Sequence, residues 1–114
     1  LTGLAGGQNY TYQSGVTAAG TTQATAAPLS ATNIRLIEID GTPSSSGVNL
    51  QFAIPGMAVS IYNAGSNNIT LYPAVSNNPV TAAQDTINSN TSTALSSTRS
   101  FLCFVAKVGV WACK

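Results

Sequence analysis

Short segments in which apolar and polar residues alternate follow one another along most of the chain. The clearest two are "AVSIYNA" and "NITLYPA", which are separated by "GSNN". A period of two is that of a β-strand, whereas a helix would repeat every 3.6 residues. The two segments therefore predict an antiparallel hairpin with a longer loop. One face of that hairpin carries Val59, Ile61, Ile69 and Leu71.

The same pattern of strands and turns continues from Pro28 to the end of the chain. "NIRLIEI" and "VNLQF" alternate in the same way, and "DGTPSSSG" and "IPGM" are rich in turn-forming residues. We count eight or nine strands and no convincing helix, and we find no clear internal repeat. Residues 21–114 are therefore predicted to form one all-β domain, an antiparallel β-sandwich or jelly roll.

The last hairpin, "SFLCFVAKVGVWACK", is apolar on both faces. A three-residue loop, Lys107 to Gly109, places glycine where a left-handed residue is needed. The resulting register sets Cys103 opposite Cys113. One face carries Cys103, Val105, Trp111 and Cys113, and the other carries Leu102, Phe104, Val110 and Ala112. We expect Phe104, Val110 and Trp111 to lie at a subunit interface or in the core. The second face needs a cover, either a neighbouring subunit or the N-terminal arm folded back over it.

The two cysteines allow one bridge, and the predicted register brings them together. They could form a disulfide in an oxidising compartment or remain two buried thiols in a reducing one. Free cysteine packs as a small hydrophobic residue, and a cross-strand pair strains the bond. These considerations favour thiols.

Residues 1–20 differ in composition and predict an extended N-terminal arm. The segment is uncharged and rich in glycine, which loses much backbone entropy when it is ordered. Its large side chains could anchor it on another protein, because tyrosine offers a large contact area with few rotatable bonds. The candidate contacts are Leu1, Leu4, Tyr10 and Tyr12. The alternative is a frayed tail.

Composition narrows the classes of partner. Charged residues make up 6% of the chain, whereas Ser, Thr and Asn account for 37 of its 114 residues. A surface of hydroxyls and amides suits a subunit that is largely covered by neighbours. A net charge of +1 from four scattered cations cannot form the basic stripe that nucleic acid requires. No apolar run approaches the ~20 residues needed to cross a bilayer, so we predict neither a nucleic-acid nor a membrane partner.

Catalytic chemistry has few candidate residues. The chain has no histidine, which removes the usual general base and the commonest metal ligand. Glu38, Asp40 and Asp85 could bind Ca²⁺ loosely, but a calcium loop clusters more acids at fixed spacing. We therefore expect solvated carboxylates at Glu38 and Asp40 and a turn or cap residue at Asp85. The prediction is a protein with no catalytic residue, no metal and no cofactor.

A family resemblance covers about four-fifths of the chain, from Gly20 to the end. The segments "GTTQATA", "AIPG", "VSIYNAGSNNITLYPA" and "DTIN", followed by a final hairpin with tryptophan, resemble small β-domains in structural proteins of tailed bacteriophages. Such domains look like decoration or cement modules of the head, or pieces of a fibre, and are usually trimeric. The N-terminal arm has no counterpart in the resemblance. No catalytic residue is carried over from it.

The expected function is that of a bacteriophage capsid decoration protein. It would be made in the bacterial host cytoplasm and would bind the major capsid protein on the capsid surface of the virion as a homotrimer. The alternative is a tail-fibre or head-fibre module that binds host glycans. Its candidate contacts are Tyr62 and Tyr72, predicted on one hairpin face, because sugar rings stack on aromatic side chains. A pilus-type subunit would need an arm that alternates like a strand, and "LTGLAGGQNY" does not.

Overall fold

The computed structural model describes residues 12–29 and 36–114, and within these ranges it contains ten β-strands and no helix. The all-β prediction is therefore confirmed. The strands are β1 (Tyr12–Thr17), β2 (Ala27–Pro28), β3 (Leu36–Gly41), β4 (Gly47–Asn49), β5 (Ala58–Asn63), β6 (Ile69–Tyr72), β7 (Thr86–Ile87), β8 (Thr93–Leu95), β9 (Ser100–Lys107) and β10 (Val110–Cys113).

The strands form two sheets that the chain visits alternately. The first sheet has six strands in the order β1-β3-β5-β9-β10-β7, and the second has four in the order β2-β4-β6-β8. Each of the strands β1 to β4 pairs in parallel with the strand two places later, so each pair of consecutive strands from β1 to β6 forms one coil. In the first sheet equivalent positions recur every 24 residues, from Tyr12 to Leu36 to Ser60.

This coiled arrangement is a β-solenoid, and it corrects the expected strand direction. Five of the eight strand pairings are parallel, whereas a sandwich or jelly roll of the predicted kind would be antiparallel throughout. A period of two identifies a strand but contains no information on the direction of its neighbour. The repeat also escaped the sequence analysis, because equivalent positions share burial rather than residue type.

The hairpin predicted from "AVSIYNA" and "NITLYPA" does not form. Both segments are strands, β5 and β6, but they belong to different sheets. Buried Asn63 holds the corner between them: its side-chain amide donates to the carbonyl oxygens of Asn67 at 2.9 Å and Leu95 at 3.1 Å. Its own oxygen accepts from the Gly65 backbone N–H at 2.9 Å. The corner directs the chain across the core instead of back along β5.

One core lies between the two sheets. Inward-facing side chains of the first sheet, including Ile37, Ile39 and Ile61, are fully buried and pack in the same cluster as Val48 and Leu71 of the second sheet. Burial of such aliphatic side chains contributes about 1.5–3 kcal/mol each. The predicted buried face of β5 and β6 is confirmed, because Val59, Ile61, Ile69 and Leu71 are all buried.

The end of the chain is the antiparallel part of the fold. β9 pairs with β5 on one side and with β10 on the other. As predicted, Cys103 lies opposite Cys113 and Phe104 lies opposite Ala112. The loop is one residue shorter than expected: Val110 pairs with Lys107, and an irregularity between Val110 and Ala112 restores the register. Gly109 has a φ of 86°, the left-handed conformation predicted for it.

The preference for two free thiols is wrong. Cys103 and Cys113 form a disulfide with a Cα–Cα distance of 4.0 Å, and both residues are buried. The bond joins β9 to β10, so it fixes the register of the last two strands. Both cysteines lie in the hydrophobic core, where a free thiol would pack as well as a disulfide, so the packing argument could not distinguish the two forms.

The boundary of the predicted arm also changes. Residues 12–17 form β1, which pairs with β3 through Gln13 with Ile37 and Val16 with Ile39. The Gly15 backbone N–H donates to the Asp40 carboxylate at 2.6 Å. This part of the predicted 1–20 arm is therefore an edge strand of the sheet. Residues 1–11 lie outside the described residues.

Candidate functional site

The outward side of the six-stranded sheet is the surface with the most exposed apolar residues in register. We call it the outer face and define it by the outward-pointing side chains of β1, β3, β5, β9 and β10. The register places Tyr12, Leu36, Ser60 and Leu102 in one row across four neighbouring strands. Lys114 extends the row, because its backbone exchanges hydrogen bonds of 2.9 and 3.1 Å with that of Leu102.

The row is unusually apolar for an exposed surface. Tyr12 is 55% exposed, Leu36 is 37% exposed and Leu102 is 51% exposed. A second row of Ala58, Phe104 and Ala112 lies beside it. Single exposed hydrophobic residues need no explanation, but several in register on one flat face are typical of an interaction surface.

Two open grooves border the described part of the chain, and no charged side chain lines either of them. The first, of about 300 Å³, lies on the outer face between β5 and β9 and is lined by Gly56, Ala58, Val59, Ser60 and Leu102. The second, of about 260 Å³, is lined by Pro28, Leu29, Asn49, Leu50, Gln51, Phe52, Ala74, Val75 and Ser76. Neither brings together an acid and a base, as most catalytic sites do.

Tyr12 is fixed on the outer face by a carboxylate. Its hydroxyl donates a hydrogen bond to Glu38 Oε1 at 2.5 Å, from β1 to the neighbouring β3. This hydrogen bond is the main reason that the pKa of Tyr12 lies above the ordinary value of 10.0; desolvation and the charge of Glu38 raise it further. The tyrosine ring is therefore held in place on the edge strand.

We expect Tyr12 to ionise above pH 10. It should do so at a higher pH than the same tyrosine does in the Glu38→Gln variant. The neutral phenol is the form that the fold favours, so the stabilisation is fully present below the unfolded-state pKa of about 10 and is lost as the pH rises through the folded-state value. Titration of phenolate absorbance measures this, with Tyr12→Phe as the control that removes the late component. A Tyr12→Phe titration identical to that of the original chain would contradict the prediction.

The other predicted contact residues of the arm are Leu1, Leu4 and Tyr10. They lie outside the described residues, so their contacts stay predictions. Of the four arm residues only Tyr12 is described, and it stands on the outer face rather than in a free arm.

Three residues of the last hairpin were predicted to lie at a subunit interface or in the core. One of them lies in the core, and the other two are half-buried. Trp111 belongs to the core: it is 1% exposed, and its indole N–H donates to the Gln51 carbonyl oxygen at 2.9 Å. Phe104 and Val110 are half-buried on the opposite side of their strands, and Phe104 lies on the outer face. The two apolar faces of the hairpin thus have different surroundings. In the described part of the chain, β1 does not cover the second face, because it lies at the far edge of the sheet.

The candidate glycan contacts do not share a face. Tyr62 lies on β5 in the first sheet and Tyr72 on β6 in the second, with the core between the sheets. Tyr62 pairs with Glu38 and Ser100. Tyr72 covers Gly47, where an added Cβ would lie 2.7 Å from the ring, and its hydroxyl is 3.4 Å from the Thr21 carbonyl oxygen. The predicted aromatic pair was wrong because the hairpin that would have formed it is absent.

Sequence analysis missed a buried polar cluster around Asp85. The Asp85 side chain is 2% exposed and accepts hydrogen bonds from the Ala53 backbone N–H at 2.7 Å and from the Asn78 amide at 3.0 Å. Asn78 is itself fully buried and donates to the Ala53 carbonyl oxygen at 3.2 Å. The cluster joins the β6–β7 connection to the chain before β5, so it has a structural explanation. The β6–β7 connection is rich in proline and contains one acid, Asp85, and its sequence does not indicate that this carboxylate is buried.

No metal site emerges from the described residues. Nowhere among them do three or more Cys, Asp, Glu or His side chains come close enough to bind an ion. Glu38 and Asp40 lie on one side of β3, as predicted, where they receive the hydrogen bonds from Tyr12 and Gly15. Residues 12–29 and 36–114 also include no helix that could span a membrane.

The fold is all-β, and the outer face presents exposed apolar residues in register. Comparisons with protein-family models, with curated proteins and with solved structures gave no match. The functional argument therefore depends on the surface of the molecule and on the resemblance of its sequence segments.

Proposed function

We propose that this protein is a non-enzymatic structural component of a bacteriophage virion, a decoration protein that binds and stabilises the assembled head shell. The observation that carries the proposal is the outer face, where exposed Tyr12, Leu36 and Leu102 stand in one flat row. A flat apolar surface fits another protein better than a small molecule, which usually binds in a concave pocket. The capsid as partner is implied by the resemblance to phage structural domains.

In this proposal many bound copies stabilise the shell together, because each covers surface where capsid subunits meet. Each bound copy would cover apolar and polar surface on neighbouring major capsid subunits, and shell symmetry would multiply a modest gain per copy. The parallel strand pairings and the shared core of the two sheets preorganise the domain, which reduces the entropy lost on binding. Bacterial cytoplasm is reducing, so in this proposal the disulfide closes after the protein leaves the cell.

Glycan binding has less support than the capsid proposal. Its main sequence feature was the pair Tyr62 and Tyr72, and these residues lie on different sheets. The two grooves described above are lined by no aromatic side chain other than Phe52. We therefore retain it as the outcome that would refute the capsid proposal.

We expect the purified protein to co-sediment with undecorated capsids and not with host cells. A variant with Leu36→Ser and Leu102→Ser, which removes two exposed leucines from the outer face, should bind capsids at least about tenfold more weakly, because the loss of an interface anchor typically costs more than about 1 kcal/mol.

The control is Val80→Ser, which removes a 67% exposed aliphatic side chain from a loop instead of from the outer face. It should bind capsids like the original chain. Circular dichroism should show the same strand content in all three proteins. Binding to cells without binding to capsids would refute the capsid proposal and favour the fibre module.

A further inference from the structure

We propose that the outer face binds a second copy of the same chain, related to the first by a two-fold axis that runs along β5. This interface uses the same outer face on which the capsid proposal rests, so it describes the free protein, and capsid binding would replace the second copy. It also differs from the homotrimer that the family resemblance implies, so the mass of the assembly distinguishes the two.

The first argument is the symmetry of the apolar row. β5 is the middle strand of the sequence β1-β3-β5-β9-β10, and it contributes the small Ser60 to the row. On either side of Ser60 stands a leucine, Leu36 on β3 and Leu102 on β9. The outermost members are Tyr12 and Lys114. The row thus has a small residue at its centre and a large residue on each side of it. Its two ends carry a tyrosine and a lysine, which can attract each other.

A two-fold axis along β5 exchanges the two halves of this row. Leu36 of one copy then faces Leu102 of the second copy, and Tyr12 faces the second copy's Lys114. The leucines bury each other, while an ammonium group placed over a tyrosine ring is attracted by its π-electrons. The small Ser60 at the centre allows the two sheets to approach. Each contact occurs twice, as an isologous interface requires.

The second argument is charge. The acids on the outer face, half-buried Glu38 and exposed Asp40, lie on β3. The cation on that face, Lys114, lies beside Leu102 of β9, on the other side of β5. A two-fold axis along β5 places the acidic half of one face over the basic half of the other. An axis perpendicular to the strands would instead place β3 over β3 and oppose like charges. Complementary potentials of this kind fix the orientation of an interface.

The size of the face sets the expected affinity. Five strands at a spacing of about 4.8 Å and a length of about 20 Å give roughly 500 Å² per copy and roughly 1,000 Å² in total. That is near the lower limit of about 1,000–1,200 Å² for specific interfaces. We therefore expect a reversible dimer with a dissociation constant in the micromolar range instead of a permanent one.

Sedimentation equilibrium of the full chain over a wide concentration range tests the proposal. We expect a monomer–dimer equilibrium that Leu102→Lys weakens at least about 30-fold, because the substitution places a charge at the centre of the interface. The matched control is Val80→Lys, the same chemical change at an exposed loop position outside the outer face. It should dimerise like the original chain. Circular dichroism confirms that both variants are folded.

Crosslinking tests the position of the axis. Facing sheets lie about 10 Å apart, too far for a disulfide between two copies of residue 60 but within reach of a short bismaleimide. Ser60→Cys should give a covalent dimer with this reagent, whereas Ser76→Cys, in an exposed loop, should not. The natural cysteines are bonded to each other and do not react.

Three results would overturn the proposal: a monomer at every concentration, a trimer, or a dimer that Leu102→Lys leaves unchanged. Equal crosslinking of Ser60→Cys and Ser76→Cys would also overturn it. No capsid is present in either experiment, so their failure leaves the capsid-binding test unaffected.

Discussion

Trp111→Ala is expected to lower the free energy of unfolding by about 3–5 kcal/mol, the cost of removing a large buried aromatic side chain. Trp111 is 1% exposed and pairs with the equally buried Ile87, so its removal leaves a cavity between β7 and the remaining core. The change also leaves the Gln51 carbonyl oxygen without its donor. A loss of this size corresponds to a melting temperature lower by on the order of 15 °C. Thermal and urea unfolding measure it.

Two further variants show how much of this loss comes from the volume of the side chain and how much from its place in the core. Trp111→Phe keeps most of the aromatic volume but cannot donate to Gln51, so it should cost less than the alanine substitution. Phe104→Ala alters the opposite side of the same hairpin, where the side chain is half-buried, and should cost about 1–2 kcal/mol. A Trp111→Ala variant no less stable than Phe104→Ala would show that the tryptophan is not a core residue.

Loss of the disulfide is expected to cost about 3 kcal/mol. The bond closes a short loop, with a sequence separation of 10, and a loop of this length restricts the unfolded chain by about that amount. The urea midpoint should fall by about 1–3 M. Because both cysteines are buried, the chain should be reduced in denaturant and refolded with the reductant present.

The matched variant is Cys103→Ala with Cys113→Ala. It should unfold at nearly the same midpoint as the reduced chain, and addition of reductant should not change it. The four samples are the oxidised chain, the reduced chain, and the double variant with and without reductant. Only the oxidised chain should have the higher urea midpoint. Identical midpoints for the oxidised and reduced chains would contradict a stabilising bond between β9 and β10.

The existence of the strands could be predicted because their period is local information. Alternation along "VSIYN" and "ITLY" identifies both the strands and their buried sides, and Ile61 and Leu71 are fully buried as the pattern requires. The pairing of Cys103 with Cys113 was also accessible, since the two strands are adjacent and their turn is short. The predicted pairing is right although the loop is one residue shorter than expected, because the irregularity between Val110 and Ala112 offsets the difference.

The direction of the strands could not be predicted from the same pattern. Whether β6 returns beside β5 or crosses to the other sheet depends on the corner at Asn63, whose partners include the distant Leu95 carbonyl oxygen. A sequence that is rich in Asn and Ser offers many turns, and only contacts between distant residues select among them. The expected Tyr62–Tyr72 pair failed for this reason.

The candidate site was predictable only in part. An apolar second face on the last hairpin, with Phe104 and Leu102, followed from alternation. The row that joins Tyr12, Leu36 and Leu102 did not, because it depends on parallel register between strands that are 24 residues apart. The same register explains why Tyr12, predicted in a free arm, contacts Glu38.

The sequence by itself determined that this protein is all-β, which side of β5 and β6 carries the apolar residues, and that Cys103 lies opposite Cys113 in the terminal hairpin. Alternation and turn residues act over a few positions, so they can be read without a partner strand. Only the tertiary structure decided that the strands coil into a solenoid, that Asp85 is enclosed, and that one outer face collects the exposed apolar row. Those features depend on hydrogen bonds and packing between residues far apart in the chain. A local sequence pattern does not predict such contacts.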